Sequence, residues 1–367
     1  MSTSYKQRVG LYTTLVLFSA VLIGCSGGGS EGGSVGVSDG QDPDPAVLDV
    51  AIAYVMRPLP VDDSGSVTEN DLRDPAAFNP GAALFVRDRA SPSSAARNIT
   101  AGVFPDGELY DVKDLSASYD GERLLFSMRA PEIEDVDEDE QPSWNIWEYN
   151  MANDELRRIV TSNLSAEEGQ DISPQYLADN SIVFTSTRQR ESRALLLDEG
   201  KPQFAALDEN RQNESFVLHK MDEQGGEITQ LTFNQSHDMT PSVLDDGRIL
   251  FSRWDAMGAR NSVNLYTINP DGSGLQILYG NHSHDTGTNG ATVQFMQAQQ
   301  NDDGQIVAAL RPFDTLDLGG EIVAIDTENF TDQNQPTAEN AGQSGPAQQS
   351  ASLTDVVLDQ AISPGGR

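Results

Sequence analysis

Histidine and cysteine are scarce in this chain, which has four histidines and one cysteine. Two of the histidines, His282 and His284, stand in a His-Ser-His-Asp run that ends at Asp285. In an extended segment, residues two apart project to the same side, so both imidazoles could bind one metal ion, with His237 or Asp285 as a further ligand. The pattern predicts a metal site at His282, His284 and His237. Two loop histidines that hydrogen-bond to backbone explain the same pattern and stay open as the alternative.

Other catalytic signatures are absent from the sequence. There is no phosphate-binding loop, no dinucleotide fingerprint after a strand, no His-Glu-x-x-His and no recognisable nucleophile triad. The single cysteine, Cys25, excludes an internal disulfide and a Cys-x-x-Cys-His haem attachment within these residues. We therefore expect no catalytic activity from this chain alone, and no cofactor beyond that metal ion.

Three aspartates stand at similar places in the sequence. Asp114, Asp171 and Asp238 each precede a strand-like segment. They could form a ring of carboxylates around a central channel. They could instead cap turns and hydrogen-bond between neighbouring units, and this second interpretation is the one we favour.

The clearest structural unit in the chain begins at Pro241–Leu244, which leads into the tight turn Asp245-Asp246-Gly247. Glycine adopts positive φ at low cost, as such turns require. The segments Arg248–Arg253, Asn264–Ile268 and Leu275–Leu278 follow and are rich in β-prone residues. The pattern predicts four antiparallel strands. One such sheet has two open edges, so it needs copies of itself.

Copies of the second strand follow comparable turns at Glu122–Ser127, Asn180–Thr185 and Gln305–Ala309. They recur at intervals of about sixty residues, which is longer than an ordinary blade repeat because loops are inserted. A more irregular first copy begins at Leu48–Val55. Four-stranded units repeated around an axis form a β-propeller, so we predict an all-β fold of that kind. The motif restarts at Val356 and the sequence stops at Arg367, so we expect six blades with the last one incomplete in this chain.

The repeat carries a family resemblance. The segment Pro241–Arg253, followed by Leu265–Gly272, resembles the repeat of TolB-type propeller proteins. More narrowly, Pro241–Trp254 with Tyr279-Gly280 is similar to the middle region of the hydrazine synthase alpha subunit. The first resemblance implies a binding propeller. The second implies one part of a redox enzyme or metalloenzyme whose haem-binding part is absent from this chain.

The N-terminal residues have the features of a targeting segment. Lys6 and Arg8 precede the apolar run Gly10–Gly24, which is too short to span a bilayer as a helix. The run ends at Leu22-Ile23-Gly24-Cys25, which resembles a bacterial lipobox. The resemblance implies a signal peptide over 1–24, lipidation of Cys25 and, because Ser26 follows, an outer-membrane location facing the periplasm. A plain secretory signal is the alternative.

The rest of the chain is predicted to divide into two parts, a tether and a propeller that contains insertions. Residues 25–46 are rich in Gly, Ser and Asp and are expected to form a flexible tether. Residues 47–367 are assigned to the propeller, with 331–352 as a disordered insertion. A second insertion, Glu191–Ser215, is expected to include a helical turn that covers one mouth of the propeller.

Net charge narrows the choice of partners. The chain has 57 acidic residues against 23 Lys and Arg, a formal net charge of −34. Such a surface argues against nucleic acid and anionic lipid headgroups as partners. The sequence therefore predicts a lipid-anchored extracytoplasmic propeller that binds a protein or small-molecule ligand on one face. The alternative is the hydrazine-synthase-alpha-like redox or metalloenzyme part.

Overall fold

The computed structural model describes residues 50–61, 64–65, 73–91, 93–137, 140–208, 211, 213–257, 260–280, 293–313, 321–327 and 353–358. The predicted signal peptide, Cys25, the tether and the insertion at 331–352 lie outside the described residues. All described residues belong to one compact unit that begins at Val47.

Among the described residues, antiparallel strands in chain order build five sheets, of which the first has three strands and each of the others has four. Neighbouring strands along the chain pair with one another in every sheet, as the alternating segments predict. The sheets comprise, in order, β1 Ile52–Met56, β2 Ala83–Arg87 and β3 Arg97–Asn98; β4 Asp111–Ala117, β5 Arg123–Arg129, β6 Trp144–Asn150 and β7 Glu155–Arg158; β8 Asp171–Tyr176, β9 Ile182–Ser186, β10 Val217–Met221 and β11 Thr229–Gln230; β12 Asp238–Val243, β13 Ile249–Met257, β14 Arg260–Ile268 and β15 Gln276–Tyr279; β16 Val293–Gln300, β17 Ile306–Pro312, β18 Glu321–Ile325 and β19 Leu353–Leu358. A single parallel bridge, Val263 to Gln294, joins the fourth sheet to the fifth.

The same tight turn joins the first two strands of the last four sheets. Its fourth residue has positive φ and donates its N–H to the carbonyl three residues earlier, at 2.9 Å in each case. Glycine fills this position in three sheets and Asn180, with φ 65°, in the remaining one. Since Gly and Asn tolerate left-handed backbone best, the repeated Asp-Gly or Asp-Asn pair accounts for the turn.

The core consists of apolar layers between successive sheets. Leu84 of the first sheet packs with Phe126 of the second, and Leu125 of the second packs with Phe184 of the third. Val183 and Phe251 share the next layer, and Leu250 packs with Phe295 in the last one. Adjacent residues of one strand thus face two different neighbouring sheets, as alternation in a strand requires. The predictions of an all-β fold and of four-stranded antiparallel units are confirmed, whereas the number of six blades stays a prediction.

Two helices interrupt the strands in the part of the chain that the structure describes. Helix α1, Asn163–Ala166, is one turn capped by the Ser162 side chain, and helix α2, Arg190–Asp198, lies in the predicted insertion. The helical turn expected there is present, but it packs against β11, the last strand of its sheet. Gln230 of that strand bonds to Ser192 of the helix, and the expectation that the helix covers a mouth of the propeller stays a prediction. No helix in the described part of the chain is long and apolar enough to cross a membrane.

A candidate binding site in the central channel

The first strands of the last four sheets, β4, β8, β12 and β16, lie next to one another in order around a channel. Each of these inner strands is broken by a bulge at the same place, where the register with the second strand shifts. One residue at each bulge has left-handed backbone: Asp114 (φ 56°), Ser173 (φ 52°), Thr240 (φ 47°) and Gln297 (φ 52°). We call these four residues the bulge ring.

The bulge ring stores conformational strain. None of its members is glycine, and a β-branched residue such as Thr240 rarely adopts positive φ. Such conformations cost on the order of 1–3 kcal/mol each and persist where the surrounding structure enforces them, which is often a functional site. The bulges turn side chains toward the axis instead of back into the sheets. Four strained residues around one axis therefore mark the channel as the candidate site.

The bulge ring separates two chambers. An outer chamber of 530 Å³ extends toward the C-terminal ends of the inner strands, and an inner chamber of 320 Å³ lies on the other side. All four ring residues line both chambers, so the ring is the boundary between them. Chambers of this size are typical of small-molecule sites.

Carboxamide and hydroxyl groups dominate the polar lining of the outer chamber. Gln175, Gln297 and Gln299 line it and are half-buried or exposed, and no described residue hydrogen-bonds their side chains. Leu115, Val307, Ala309 and Ile322 add apolar surface. This chamber therefore combines uncommitted hydrogen-bonding groups with an apolar wall, which is the usual composition of a ligand site.

Asp114 is the only ionisable residue among the described residues that line the outer chamber. Its Oδ2 accepts hydrogen bonds from the Ser127 hydroxyl at 3.0 Å and from the Ser173 backbone N–H at 3.1 Å. No described residue donates to its Oδ1. The carboxylate is thus held in place by one oxygen while the other is available to a ligand.

The inner chamber has a lysine in its wall. Lys113 Nζ donates to the Pro75 carbonyl and lies 4.3 Å from the centroid of the Trp144 ring. Burial lowers the pKa of Lys113, and the positive charge of Arg57 acts in the same direction, whereas Asp114 opposes the shift. The two chambers therefore differ in charge, since Lys113, Arg57, Asp74 and Asp114 all line the inner chamber, whereas Asp114 is the only ionisable described residue of the outer one.

Residues 73–79 are here called the crossing segment, and three of them, Asp74, Pro75 and Ala77, line the inner chamber but not the outer one. The Trp144 indole donates to the Ala76 carbonyl at 2.9 Å, and the Asn79 N–H donates to Asp111 at 2.7 Å. At the other end, the Arg73 guanidinium lies 4.4 Å from the centroid of the Phe313 ring. The segment thus reaches from the second sheet to the fifth across one end of the channel.

The predicted set of three matching aspartates needs correction. The residue that begins β4 is Asp111, and Asp114 lies within that strand, at the bulge. Asp171 and Asp238 begin β8 and β12, and neither lines a chamber.

Each strand-initial aspartate forms an ion pair with an arginine. The distances are 2.6 Å for Arg57–Asp111, 2.5 Å for Arg188–Asp171 and 2.7 Å for Arg253–Asp238. Asp114 alone of the expected set faces the channel, and it also forms the expected bond to the next sheet through Ser173.

The predicted metal ligands fall largely outside the described residues, since His282 and His284 both lie in the undescribed stretch 281–292. His237 is fully buried, and its Nδ1 accepts the Phe216 N–H at 3.0 Å. Its ring packs between Phe216 and Trp254, at 5.5 Å and 5.7 Å between centroids. A metal ion could therefore bind His237 only through Nε2. Within the described ranges, no group of three or more His, Cys, Asp or Glu side chains could hold a metal ion.

His219, expected to be an ordinary strand residue, lies buried in β10. Its Nδ1 is 2.9 Å from the Val217 carbonyl, and its Nε2 has no hydrogen-bond partner among the described residues. Burial lowers the pKa of His219 to about 4. The imidazole is therefore neutral at physiological pH.

Sequence reasoning missed the bulges and the crossing segment. Pro174 and Pro241 occupy matching places directly after a ring residue. Since proline inside a sheet is confined to edges and bulges, the pair signalled irregular inner strands. Nothing in the composition of the crossing segment indicates where it lies.

Comparisons with known proteins bear on the fold. No protein-family model matches the chain, and no curated protein does. Among solved structures, the chain is similar to hydrazine synthase from Kuenenia stuttgartiensis, with a TM-score of 0.54 and 19% identity over 77% of this chain and 38% of that one. The five radially stacked sheets and this similarity define a propeller-type fold.

Two further structures show weaker similarity. For TolB from Acinetobacter baumannii the TM-score is 0.35 at 15% identity, over 74% of this chain and 63% of that one. For an oligogalacturonate lyase in complex with manganese, the TM-score is 0.40 at 12% identity, over 74% of this chain and 64% of that one. The chain spans less than two-thirds of each of these three structures. At such identities the similarity shows the fold and does not extend to function.

Proposed function

We propose that this protein is a lipid-anchored extracytoplasmic β-propeller of the TolB type, which binds a protein or small-molecule ligand at the outer chamber of its channel. The observation that carries the proposal is the outer chamber itself. Three glutamines whose side chains bond to no described residue, and one aspartate with a single oxygen bonded, surround 530 Å³ of space. Two of these four residues, Asp114 and Gln297, have strained backbone that holds them in place.

The anchor rests on the sequence. The apolar run and the Leu-Ile-Gly-Cys box before the tether support lipidation of Cys25 at the outer membrane. Two or more acyl chains hold a protein stably at a membrane, whereas one chain does so marginally. Replacing Cys25 with serine should move the processed protein from the membrane fraction to the soluble periplasmic fraction. A processed Cys25→Ser protein that stays with the membrane would contradict the anchor.

The binding role is tested by filling the outer chamber. Gln299→Trp places an indole in the chamber at an exposed position, so the fold should tolerate it. Gln224→Trp adds the same indole on an exposed turn away from the channel and serves as the matched control. A ligand captured from an envelope extract should be retained by wild type and by Gln224→Trp and lost by Gln299→Trp. Equal capture by both variants would show that the chamber is not the binding site.

A second hypothesis is that the chain is part of a hydrazine-synthase-alpha-like periplasmic redox enzyme or metalloenzyme. The sequence resemblance of Pro241–Trp254 with Tyr279-Gly280 to that subunit is the observation that favours it. A Cys-x-x-Cys-His motif in the genomic sequence beyond Arg367 would support this hypothesis. A stop codon shortly after that position would favour the binding module.

A further inference from the structure

The charge pattern around the inner strands singles out Asp114. The three strand-initial aspartates each have an arginine partner within 2.7 Å, so their charges are balanced inside the protein. In the described part of the chain, no cationic side chain forms an ion pair with Asp114, which is also half-buried. Lys113, its neighbour in sequence, turns into the inner chamber and donates to the Pro75 carbonyl.

The contacts of Asp114 also orient it toward a ligand. The Ser127 hydroxyl and the Ser173 N–H both bind Oδ2, and the left-handed backbone at Asp114 fixes the direction of its side chain. A carboxylate with one oxygen held and one available can accept a short, charge-assisted hydrogen bond from a cation. The surrounding glutamines can donate to or accept from the rest of the ligand, but they carry no charge.

We infer that the outer chamber binds a ligand through a primary ammonium group, which Oδ1 of Asp114 accepts, while Gln175, Gln297 and Gln299 bind the neutral polar body attached to it. This inference rests on the proposed binding function and adds the chemical class of the ligand. An anionic ligand is disfavoured, because Asp114 is the only charge that the described residues present to the chamber. A free amino group occurs both on amino sugars and at the N-terminus of a peptide, and these two sources share the chemistry that Asp114 recognises.

The test compares matched probes on the wild-type protein. Glucosamine is compared with N-acetylglucosamine, and the peptide amide Gly-Gly-Ser with its N-acetyl form, each by ligand-observed NMR titration. Within each pair the acetylated form lacks the ammonium charge and carries an added acetyl group, and the rest of the molecule is the same. We expect the free amine of at least one pair to bind at least tenfold more tightly than its acetylated form. The pair that binds identifies whether a sugar or a peptide body fits.

Two variants distinguish a specific effect of Asp114 on ligand affinity from an effect of the molecule's overall negative charge. Asp114→Asn keeps an acceptor for Ser127 and Ser173 but removes the charge, whereas Asp106→Asn removes one charge from an exposed turn outside both chambers. The free amine should bind the Asp114→Asn variant at least tenfold more weakly than it binds wild type. It should bind the Asp106→Asn variant as tightly as wild type. Equal losses in the two variants would overturn the inference, as would the absence of binding by both free amines.

The same titrations distinguish this inference from the proposed function. If acetylated probes bind as well as free amines, and Gln299→Trp abolishes both, the channel binds ligands but not through an ammonium group. If Gln299→Trp leaves every probe's binding unchanged, the outer chamber is not the site and both proposals fail. Because the comparison of paired probes needs only wild-type protein, the result stands even if Asp114→Asn does not fold.

Discussion

At the scale of single residues, the two histidines in the described part of the chain serve the fold. His237 and His219 are fully or almost fully buried, and each uses Nδ1 to bind backbone. Burial of His219 favours the neutral form of its ring, so protonation of this residue opposes folding. For His219 this effect is large enough to predict its consequence for stability.

The pKa of His219 is about 4 in the folded protein, below the ordinary value of 6.5. Below pH 6.5 the unfolded chain therefore binds more protons at this residue, so stability is full above that pH and falls as the pH drops toward 4. Between pH 7.5 and 5.0 this residue alone should remove about 2 kcal/mol from the free energy of unfolding.

Urea denaturation of wild type and of His219→Gln at both pH values measures this effect. The variant cannot be protonated, so its stability should fall less over the same interval, by about 2 kcal/mol. Carboxylates and the remaining histidines titrate in both proteins and cancel in the comparison. Equal pH dependence of the two proteins would show that His219 is protonated without cost.

The metal site at His282, His284 and His237 stays a prediction. If it exists, metal measured by mass spectrometry in protein purified without a histidine tag should be stoichiometric. The double variant His282→Ala/His284→Ala should lose it, because two of three ligands are gone. His219→Gln changes an imidazole outside the set and should keep the metal. Metal far below one equivalent in wild type, or equal metal in wild type and the double variant, would contradict the metal site. His282 and His284 would then be loop histidines that hydrogen-bond to backbone.

At the scale of elements, the sheets are joined by a repeated set of side-chain bonds near the axis. The Ser116 hydroxyl donates to the Pro174 carbonyl at 2.9 Å, and the Ser242 hydroxyl donates to the Ala298 carbonyl at 2.8 Å. Each serine lies two residues after the bulge-ring residue of its own strand. Each donates to the carbonyl of the residue that directly follows the bulge-ring residue of the next inner strand. The bulges thus supply carbonyl groups that neighbouring sheets satisfy, which is how irregular backbone can lie at a buried junction.

Further from the axis, Glu148 joins the second and third sheets. It is almost fully buried and accepts hydrogen bonds from the Tyr176 hydroxyl and from Arg157 Nε, the latter at 2.9 Å. Arg123 lies 3.7 Å from the same carboxylate. Burial raises the pKa of Tyr176, and the bond to Glu148 adds to the shift. The phenol is therefore a permanent donor to a buried charge.

Tyr176→Phe should lower the free energy of unfolding by about 1–3 kcal/mol, because it removes a hydrogen bond to a buried carboxylate and adds no compensating contact. Tyr119→Phe removes the same hydroxyl from a side chain that is 68% exposed, and it should change stability by less than about 0.5 kcal/mol. Urea denaturation at neutral pH compares the two variants with wild type. A Tyr176→Phe midpoint equal to that of Tyr119→Phe would mean that Glu148 does not depend on Tyr176.

Local sequence patterns predicted the strands and turns well. Contacts between residues far apart in the chain could not be predicted from the sequence. Alternating residues around Phe126, Phe184 and Phe251 placed the second strands, because strand period and turn chemistry are local properties. The ion pair of Asp111 with Arg57 joins residues far apart in the chain, so no spacing rule reveals it. The assignment of Asp114 to the start of its strand failed for the same reason, since a bulge is defined by the partner strand.

At the scale of the whole molecule, the ring of sheets and the charge of the chain act together. The sheets form separate apolar layers instead of one central core, so the axis is free to carry polar groups. Asp114 and the glutamines occupy that space. A strongly negative molecule, with a carboxylate on its axis that forms no ion pair with a described residue, attracts cations toward the channel, in agreement with the ligand class inferred above.

The net charge of −34 also predicts how salt affects stability. Repulsion among like charges disfavours the compact state more than the expanded one. Raising the ionic strength from about 0.01 M to about 0.15 M shortens the Debye length from about 30 Å to about 8 Å, which screens surface repulsion. The buried pair Arg188–Asp171, whose side chains are 0% and 1% exposed, is screened much less.

Sodium chloride should therefore raise the midpoint temperature of thermal unfolding at neutral pH. Sucrose at equal osmolality tests whether solute exclusion alone produces the same rise. If the midpoint stays constant or falls with salt, favourable surface ion pairs outweigh the repulsion, and the excess of acidic residues is balanced locally.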